Sequence, residues 1–254
     1  MGKIGWRGSA KNMAQGVVKS TVRKTGQGAR ALGIAVARAT SEPERAGYLL
    51  AAGINVTASF AGSSKAKSLS KPVLMPLLSG RVLRSRTSTT HRAIGIAGLT
   101  GGWLGDLVLM RPRSLPQGAA GFSLNHLAYC TLLWHKGARP KLGAALGRAV
   151  ILAAATGFAA RTQPRLAPLV LAYGGLLATT STLADDPSLH NETTPASFGL
   201  SHGGNLFLVS DAVLCVRELL LEDSESSIAS IADGIVMSTY TLAQLLLVDG
   251  LFSK

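Results

Sequence analysis

Two stretches decide how this chain is read. One is Gly101-Gly102-Trp103-Leu104-Gly105-Asp106-Leu107-Val108-Leu109-Met110. The other is Asn205-Leu206-Phe207-Leu208-Val209-Ser210-Asp211-Ala212-Val213-Leu214. Each is an apolar run broken by one aspartate. Inside hydrocarbon such a residue costs on the order of 3 kcal/mol by insertion scales, unless it is protonated, paired or reached by water. Both runs belong to longer apolar segments of bilayer-spanning length. A chain that keeps two acids in such places is expected to use them.

The composition around these runs fits a membrane protein. Of 254 residues, 47% are hydrophobic and only 15% charged, against about 25% charged in an average soluble domain. The formal net charge is nevertheless +13. Nucleic-acid-binding domains are also basic, but they do not need so much apolar sequence, so no nucleic-acid partner is expected. The two cysteines, Cys130 and Cys215, fall inside apolar segments and read as small buried hydrophobes.

Residues 1–44 are rich in Gly, Ser, Lys and Arg. They read as a basic N-terminal arm, with no cleaved signal peptide. The arm is either disordered or an interfacial amphipathic helix around Ala10–Ala39 that lies on anionic lipid. Residues 45–254 read as one domain. The expected fold is all-α, a polytopic membrane bundle of about eight transmembrane helices. These lie near 46–62, 69–84, 93–110, 118–134, 143–160, 166–184, 202–221 and 231–251. The second is the least regular, because Lys71, Pro72 and Pro76 interrupt it. In the third, Gly95, Gly98, Gly102 and Gly105 make a small-residue stripe that lets helices approach closely. A soluble all-α protein is the alternative.

Orientation follows from the basic residues. With the N-terminus in the cytoplasm, the inner side receives the arm, then Arg81, Arg84, Arg86 and Arg92, then Lys136, Arg139, Lys141 and Arg148. The outer loops receive only the pairs Lys65 and Lys67, Arg111 and Arg113, and Arg161 and Arg165, and the last loop is acidic. The positive-inside rule then puts both termini in the cytoplasm.

Asp106 lies near the outer end of the third segment and Asp211 near the middle of the seventh. In the bland reading each aspartate pairs with a basic residue or caps a neighbouring helix, and Lys71 is the obvious partner. In the functional reading the two share a cavity with other polar residues of the segments. On the fourth segment Phe122, His126 and Tyr129 share a face by i, i+4, i+7 spacing, and on the eighth Tyr240 and Gln244 do. Asn205 and Ser210 flank Asp211. The loop Asp185-Asp186-Pro187-Ser188-Leu189-His190, with His202 beyond it, offers metal-ligand types. It matches no His-x-Glu, His-Glu-x-x-His or Cys-x-x-Cys pattern and reads as a solvated acidic loop, so no metal is expected. No Gly-x-Ser-x-Gly elbow and no phosphate-binding Gly-x-x-x-x-Gly-Lys loop is present.

Several runs together resemble the YhhN-like family. They are Gly102 to Met110, Gly118 to Tyr129 with Phe122 and His126, Gly203 to Asp211, and Val236 to Leu246 with Tyr240 and Gln244. Lys71-Pro72 stands where that family has its Lys-Pro pair. The likeness covers about 46–251 and leaves the arm outside. Two departures are the long basic extension and an aromatic content of only 5%.

The family includes lysoplasmalogenases, which hydrolyse the vinyl ether of a lysolipid to a fatty aldehyde and a glycerophospho-alcohol. The resemblance implies eight membrane helices, a site built on Asp106 and Asp211, a lipid substrate, and a place in the bacterial plasma membrane. Lys71, His126, Tyr129, Asn205, Ser210, Tyr240 and Gln244 are expected to bind substrate. The chemistry needs one protonated acid and one anionic group, and no metal or organic cofactor. Two carboxyls in a low-dielectric site supply both. Either aspartate could be the acid, and the deeper place of Asp211 in its segment favours it. The alternatives are a proton- or cation-coupled transporter and a non-catalytic lipid-binding membrane protein. Against a transporter, the chain shows no paired halves with matched broken segments.

Overall fold

The computed structural model describes residues 22–221 and 226–253, and among these there are helices and no extended strand. Residues 22–37 form α1. Eight long helices follow: α2 (Pro43–Phe60), α3 (Ser64–Leu83), α4 (Thr89–Val108), α5 (Leu115–His135), α6 (Leu142–Thr162), α7 (Ala167–Ala184), α8 (Gly199–Leu220) and α9 (Ser227–Phe252). They coincide with the eight apolar segments, and the largest end-point difference is at α3, which starts at Ser64 rather than near 69. Among the described residues, three helical stretches are long and apolar enough to cross a bilayer: Leu142–Thr162, Pro164–Ala184 and Ser227–Phe252. The other long helices carry too many polar and charged residues to meet that standard, α3 above all.

The packing explains the tolerance for those polar groups. α2, α3, α4, α5, α7, α8 and α9 each contact the next, and α9 returns to α2, which closes a ring of seven. α6 lies outside the ring, mainly against α7, and buries only Arg148 and Ala159. Polar side chains of the ring can therefore face its interior rather than lipid.

Two sequence features set the spacing of α3, α4 and α5. A Cβ added at Gly121 would lie 2.7 Å from the Gly101 carbonyl oxygen and the Gly105 nitrogen. Only glycine allows α4 and α5 this approach. Pro76 has no N–H to give the Pro72 carbonyl one turn earlier. Trp103 Nε1 of α4 donates to that carbonyl instead, at 2.8 Å. Prolines inside a packed helix are tolerated when a neighbour supplies such a bond.

The arm divides. Residues 1–21 lie outside the described residues. In α1, Gly28, Ala31 and Ala35 are buried, on one helical face, while Arg23, Lys24 and Arg30 are exposed. A Cβ on Gly28 would collide with the His202 ring at 2.5 Å, so α1 is seated against the start of α8.

Near it, the ends of α2, α3 and α9 are cross-linked. Arg45 makes a bidentate pair with Asp249 at 2.7 and 2.6 Å, and its Nε donates to Glu42 at 2.8 Å. Arg81 lies 3.7 Å from both acids.

The loop after α7 is not the solvated acidic loop expected from its sequence. Asp186 is buried and accepts from the Arg139 N–H at 2.7 Å and the Ser188 N–H at 3.1 Å, with Lys141 Nζ 3.6 Å away. Asp185 is paired with Arg148 at 3.3 Å and Lys24 at 3.6 Å. Two carboxylates so placed exchange part of their hydration for charge-assisted hydrogen bonds and ion pairs.

Candidate active site

Asp106 sits in the last turn of α4 and is 1% exposed. Its Oδ1 is 3.3 Å from Lys71 Nζ on α3, and its Oδ2 accepts from the Tyr240 hydroxyl of α9 at 2.7 Å. A buried carboxylate stays charged only when paired and hydrogen-bonded, and these two partners meet both needs. Asp211 lies in the middle of α8, the deeper place in its helix that the sequence assigns it, and is half-buried on the cavity wall. Its Oδ2 accepts from the Tyr173 hydroxyl of α7. Among the described residues it has no ion pair.

A chain of hydrogen bonds runs back from Asp211. The Tyr173 oxygen lies 3.3 Å from His126 Nε2, and His126 Nδ1 lies 3.1 Å from Thr180 Oγ1. Tyr173 has one proton, given to Asp211, so its oxygen accepts from His126 Nε2–H, and Nδ1 then accepts from Thr180, whose hydroxyl can otherwise donate to the Leu176 carbonyl at 3.1 Å. Cys130 Sγ stands 3.2 Å behind Thr180. His126 is fully buried and edge-on to Phe207, with centroids 4.6 Å apart. Phe207 is edge-on to Tyr240 at 5.5 Å. The two carboxyl neighbourhoods are thus joined by a packed aromatic wall.

Both carboxyls line one cavity of ≈ 650 Å³. Lys71, Phe122, Tyr173, Ser210 and Tyr240 line it too. It lies between the starts of α3, α5, α7 and α9 and the ends of α4 and α8, the side that the basic-residue count assigns to the outside. Lys67, Arg111, Arg113, Arg217, Glu218 and Asp233 line it near the helix ends on that side. This size is ordinary for a small-molecule site. A second, apolar groove of ≈ 590 Å³ lies between α5, α6 and α7, and Leu152 and Ala178 belong to the walls of both.

Four of the residues expected at the site lie elsewhere. His126 is one layer behind Tyr173. Tyr129 donates to Gln244 Oε1, and Gln244 Nε2 donates to Asn125 at 3.1 Å, all within the dry packing of α5 and α9. Asn205 accepts from Arg148 at 2.8 Å and Ser181 at 3.1 Å between α6, α7 and α8. Ser210 lines the cavity but spends its proton on the Val236 carbonyl at 3.1 Å. Conversely, Tyr173, Arg148, Asn55 and Ser59 line the cavity and were not expected there. The one signal for Tyr173 was its rarity, as one of four tyrosines in the chain. No group of metal-ligating side chains is found among the described residues.

Fold and site thus define a class: an all-α helical bundle with a polar, acid-bearing cavity set among apolar helices. The YhhN family model matches residues 66–251, and the chain belongs to that family. Together with the apolar helices, the match points to a membrane protein. No curated protein and no solved structure matches the chain.

Proposed function

We propose that this protein is an integral membrane hydrolase of the lysoplasmalogenase type, acting on the vinyl ether of a lysolipid. One observation carries the reading. Two carboxyls line one cavity with unlike partners: Asp106 beside an ammonium and a hydroxyl, Asp211 beside the neutral hydroxyl of Tyr173. Unlike environments are what divide an acid from an anion in a pair of carboxyls.

The chemistry follows from that division. Asp211, in its protonated form, gives its proton to the outer carbon of the vinyl ether double bond. The other carbon becomes an oxocarbenium-like cation. Asp106, kept as a carboxylate by Lys71 and Tyr240, lies on the cavity wall to stabilise that cation and to accept a proton from the attacking water. Water adds to the cationic carbon, and the hemiacetal collapses to aldehyde and alcohol. The division of labour resembles that of glycoside hydrolysis. When Asp211 holds its proton, the chain behind it can reverse: Tyr173 donates to His126, and His126 to Thr180. The site can therefore hold either protonation state without orphaning a polar group.

The lipid enters this account through the two spaces. Its head group would sit at the charged end among Lys67, Arg111 and Arg217, and its chain in the apolar groove that shares Leu152 and Ala178. All eight long helices would cross the membrane with both termini in the cytoplasm. The arm, residues 1–44, would lie on the inner surface. A cysteine introduced at position 20 should then resist labelling from outside intact cells; strong outside labelling overturns the orientation.

The decisive experiment incubates purified protein with a panel of ether lysolipids, a vinyl ether lysolipid included, and looks for fatty aldehyde by mass spectrometry. The reversible chain Asp211–Tyr173–His126–Thr180 also suits a proton-coupled transporter. If no ether lysolipid yields aldehyde while Asp211 controls a proton flux in vesicles, that reading takes its place.

A further inference from the structure

Asn55 and Ser59 lie one turn apart on α2 and both line the cavity. They are 1% and 0% exposed. Asn55 Oδ1 and Ser59 Oγ are buried with no hydrogen-bond partner in the protein. A buried polar atom left so costs about 1–3 kcal/mol, and such atoms need an explanation.

The amide cannot simply be turned over. Its nitrogen donates to Ser70 Oγ at 2.9 Å and to the Lys67 carbonyl at 3.3 Å. Ser70 has already given its own proton to the Ala66 carbonyl at 2.6 Å. Both neighbours are therefore acceptors, and the nitrogen must face them. Oδ1 is left without a partner, in a residue of the cavity wall. Ser59 is equally unusual. Ser70, Ser79, Ser123 and Ser238 all fold their hydroxyls back onto the carbonyl four residues earlier, at 2.6 to 3.0 Å. Ser59 does not.

The pair offers one free acceptor and one free donor. An anion would be repelled by Asn55 Oδ1, and a cation would leave the Ser59 proton without an acceptor. A neutral hydroxyl satisfies both, donating to Asn55 and accepting from Ser59. We propose that Asn55 and Ser59 are a hydroxyl-recognition subsite that selects a lipid whose glycerol carbon next to the ether carries a free hydroxyl. This rests on the hydrolase reading above. It gives a physical reason for preferring a lysolipid to its doubly substituted parent, which has no proton for Asn55 and needs room where the hydroxyl would sit. A site built to bond a hydroxyl rejects the analogue that lacks it far better than an apolar site rejects an added methylene.

The test uses full-length protein in detergent or nanodiscs. The probes are a vinyl ether lysolipid and its 2-deoxy analogue for turnover, and the alkyl ether lysolipid and its 2-deoxy analogue for binding. The parent should lose about tenfold or more in kcat/KM and in affinity when the hydroxyl is removed. In Ser59→Ala that ratio should shrink to within about threefold, while thermal unfolding stays near the parent's, because no protein group loses a partner. A merely structural Ser59 would change both lipids alike. A parent ratio near one overturns the subsite, and needs no variant. So does a folded Ser59→Ala that keeps the parent's ratio. If the parent binds the alkyl lipid with this preference yet releases no aldehyde, the hydrolase reading fails and the subsite stands. If aldehyde is released equally from both lipids, the subsite fails alone. If no lysolipid binds, both fail.

Discussion

The two ends of the bundle use the same side chains to opposite effect. At the end where α1 docks, cations and acids meet each other directly: Arg45 with Asp249 and Glu42, Arg81 beside both, Asp186 under two backbone N–H groups. That end is closed. At the other end Lys71, Lys67 and Arg217 also pair with acids, but their partners Asp106 and Asp233 line a cavity with them. Pairing alone therefore says little about function. What differs is whether space remains beside the pair for a third molecule.

Asp249→Ala should have the largest effect. It removes both bonds to the terminal nitrogens of the buried Arg45 and leaves Glu42 on its Nε, so stability should fall by about 3 kcal/mol, the low end for a broken buried pair. Thermal unfolding in detergent reads this. Any protein that remains folded should keep its catalytic rate per molecule. If instead the rate falls with stability unchanged, the two ends are not separate in function.

At the open end the expectation reverses. Asp106→Asn and Asp211→Asn should each lower turnover by roughly 100-fold or more, about 2.7 kcal/mol, with little change in unfolding temperature. Aldehyde release near the parent rate from both folded variants would remove the mechanism.

A smaller, pH-dependent effect belongs to Asp186, in the loop after α7. Burial alone would raise its carboxyl, but the N–H groups of Arg139 and Ser188 and the Lys141 ammonium outweigh burial and hold it below the ordinary range. A lowered folded value means stability that is present above the unfolded value of about 4 and lost as pH falls through the folded one. Asp186→Asn should cost about 1.5 kcal/mol at neutral pH and flatten this acid limb. Unfolding curves at pH 7 and pH 3.5 test it; equal losses at both would rule out the charge as the cause.

Much of this was legible in the sequence, and the reason is specific. Apolar runs bounded by Gly, Pro and charge mark the helices, and Asp106, Asp211 and Lys71 stand out because charge is rare in such runs. The partners were less visible. Tyr173 lies 38 residues from Asp211 and Tyr240 lies 134 from Asp106, and nothing local encodes such pairings. Tyr240 and Gln244 share a helical face, yet only Tyr240 reaches the cavity while Gln244 turns to Tyr129 and Asn125. Spacing gives a face; it does not say how deep along the helix the cavity extends. Asn55 and Ser59 carried no signal at all, because an unpaired oxygen is a property of neighbours rather than of residue type.

The bond from Trp103 to the Pro72 carbonyl has a genetic consequence. Lys71 precedes Pro72, and Asp106 follows Trp103 by three residues, so this bond pins the register at which the ion pair forms. Trp103→Phe should orphan the carbonyl and cost about 0.6 kcal/mol, the typical value for a hydrogen bond between membrane helices. Pro76→Ala restores the missing N–H within α3. It should therefore act as a suppressor: Trp103→Phe harmful alone, Pro76→Ala nearly silent alone, and the double variant closer to the parent than Trp103→Phe. Additive losses, read by thermal unfolding, would mean that the proline and the tryptophan do not depend on each other.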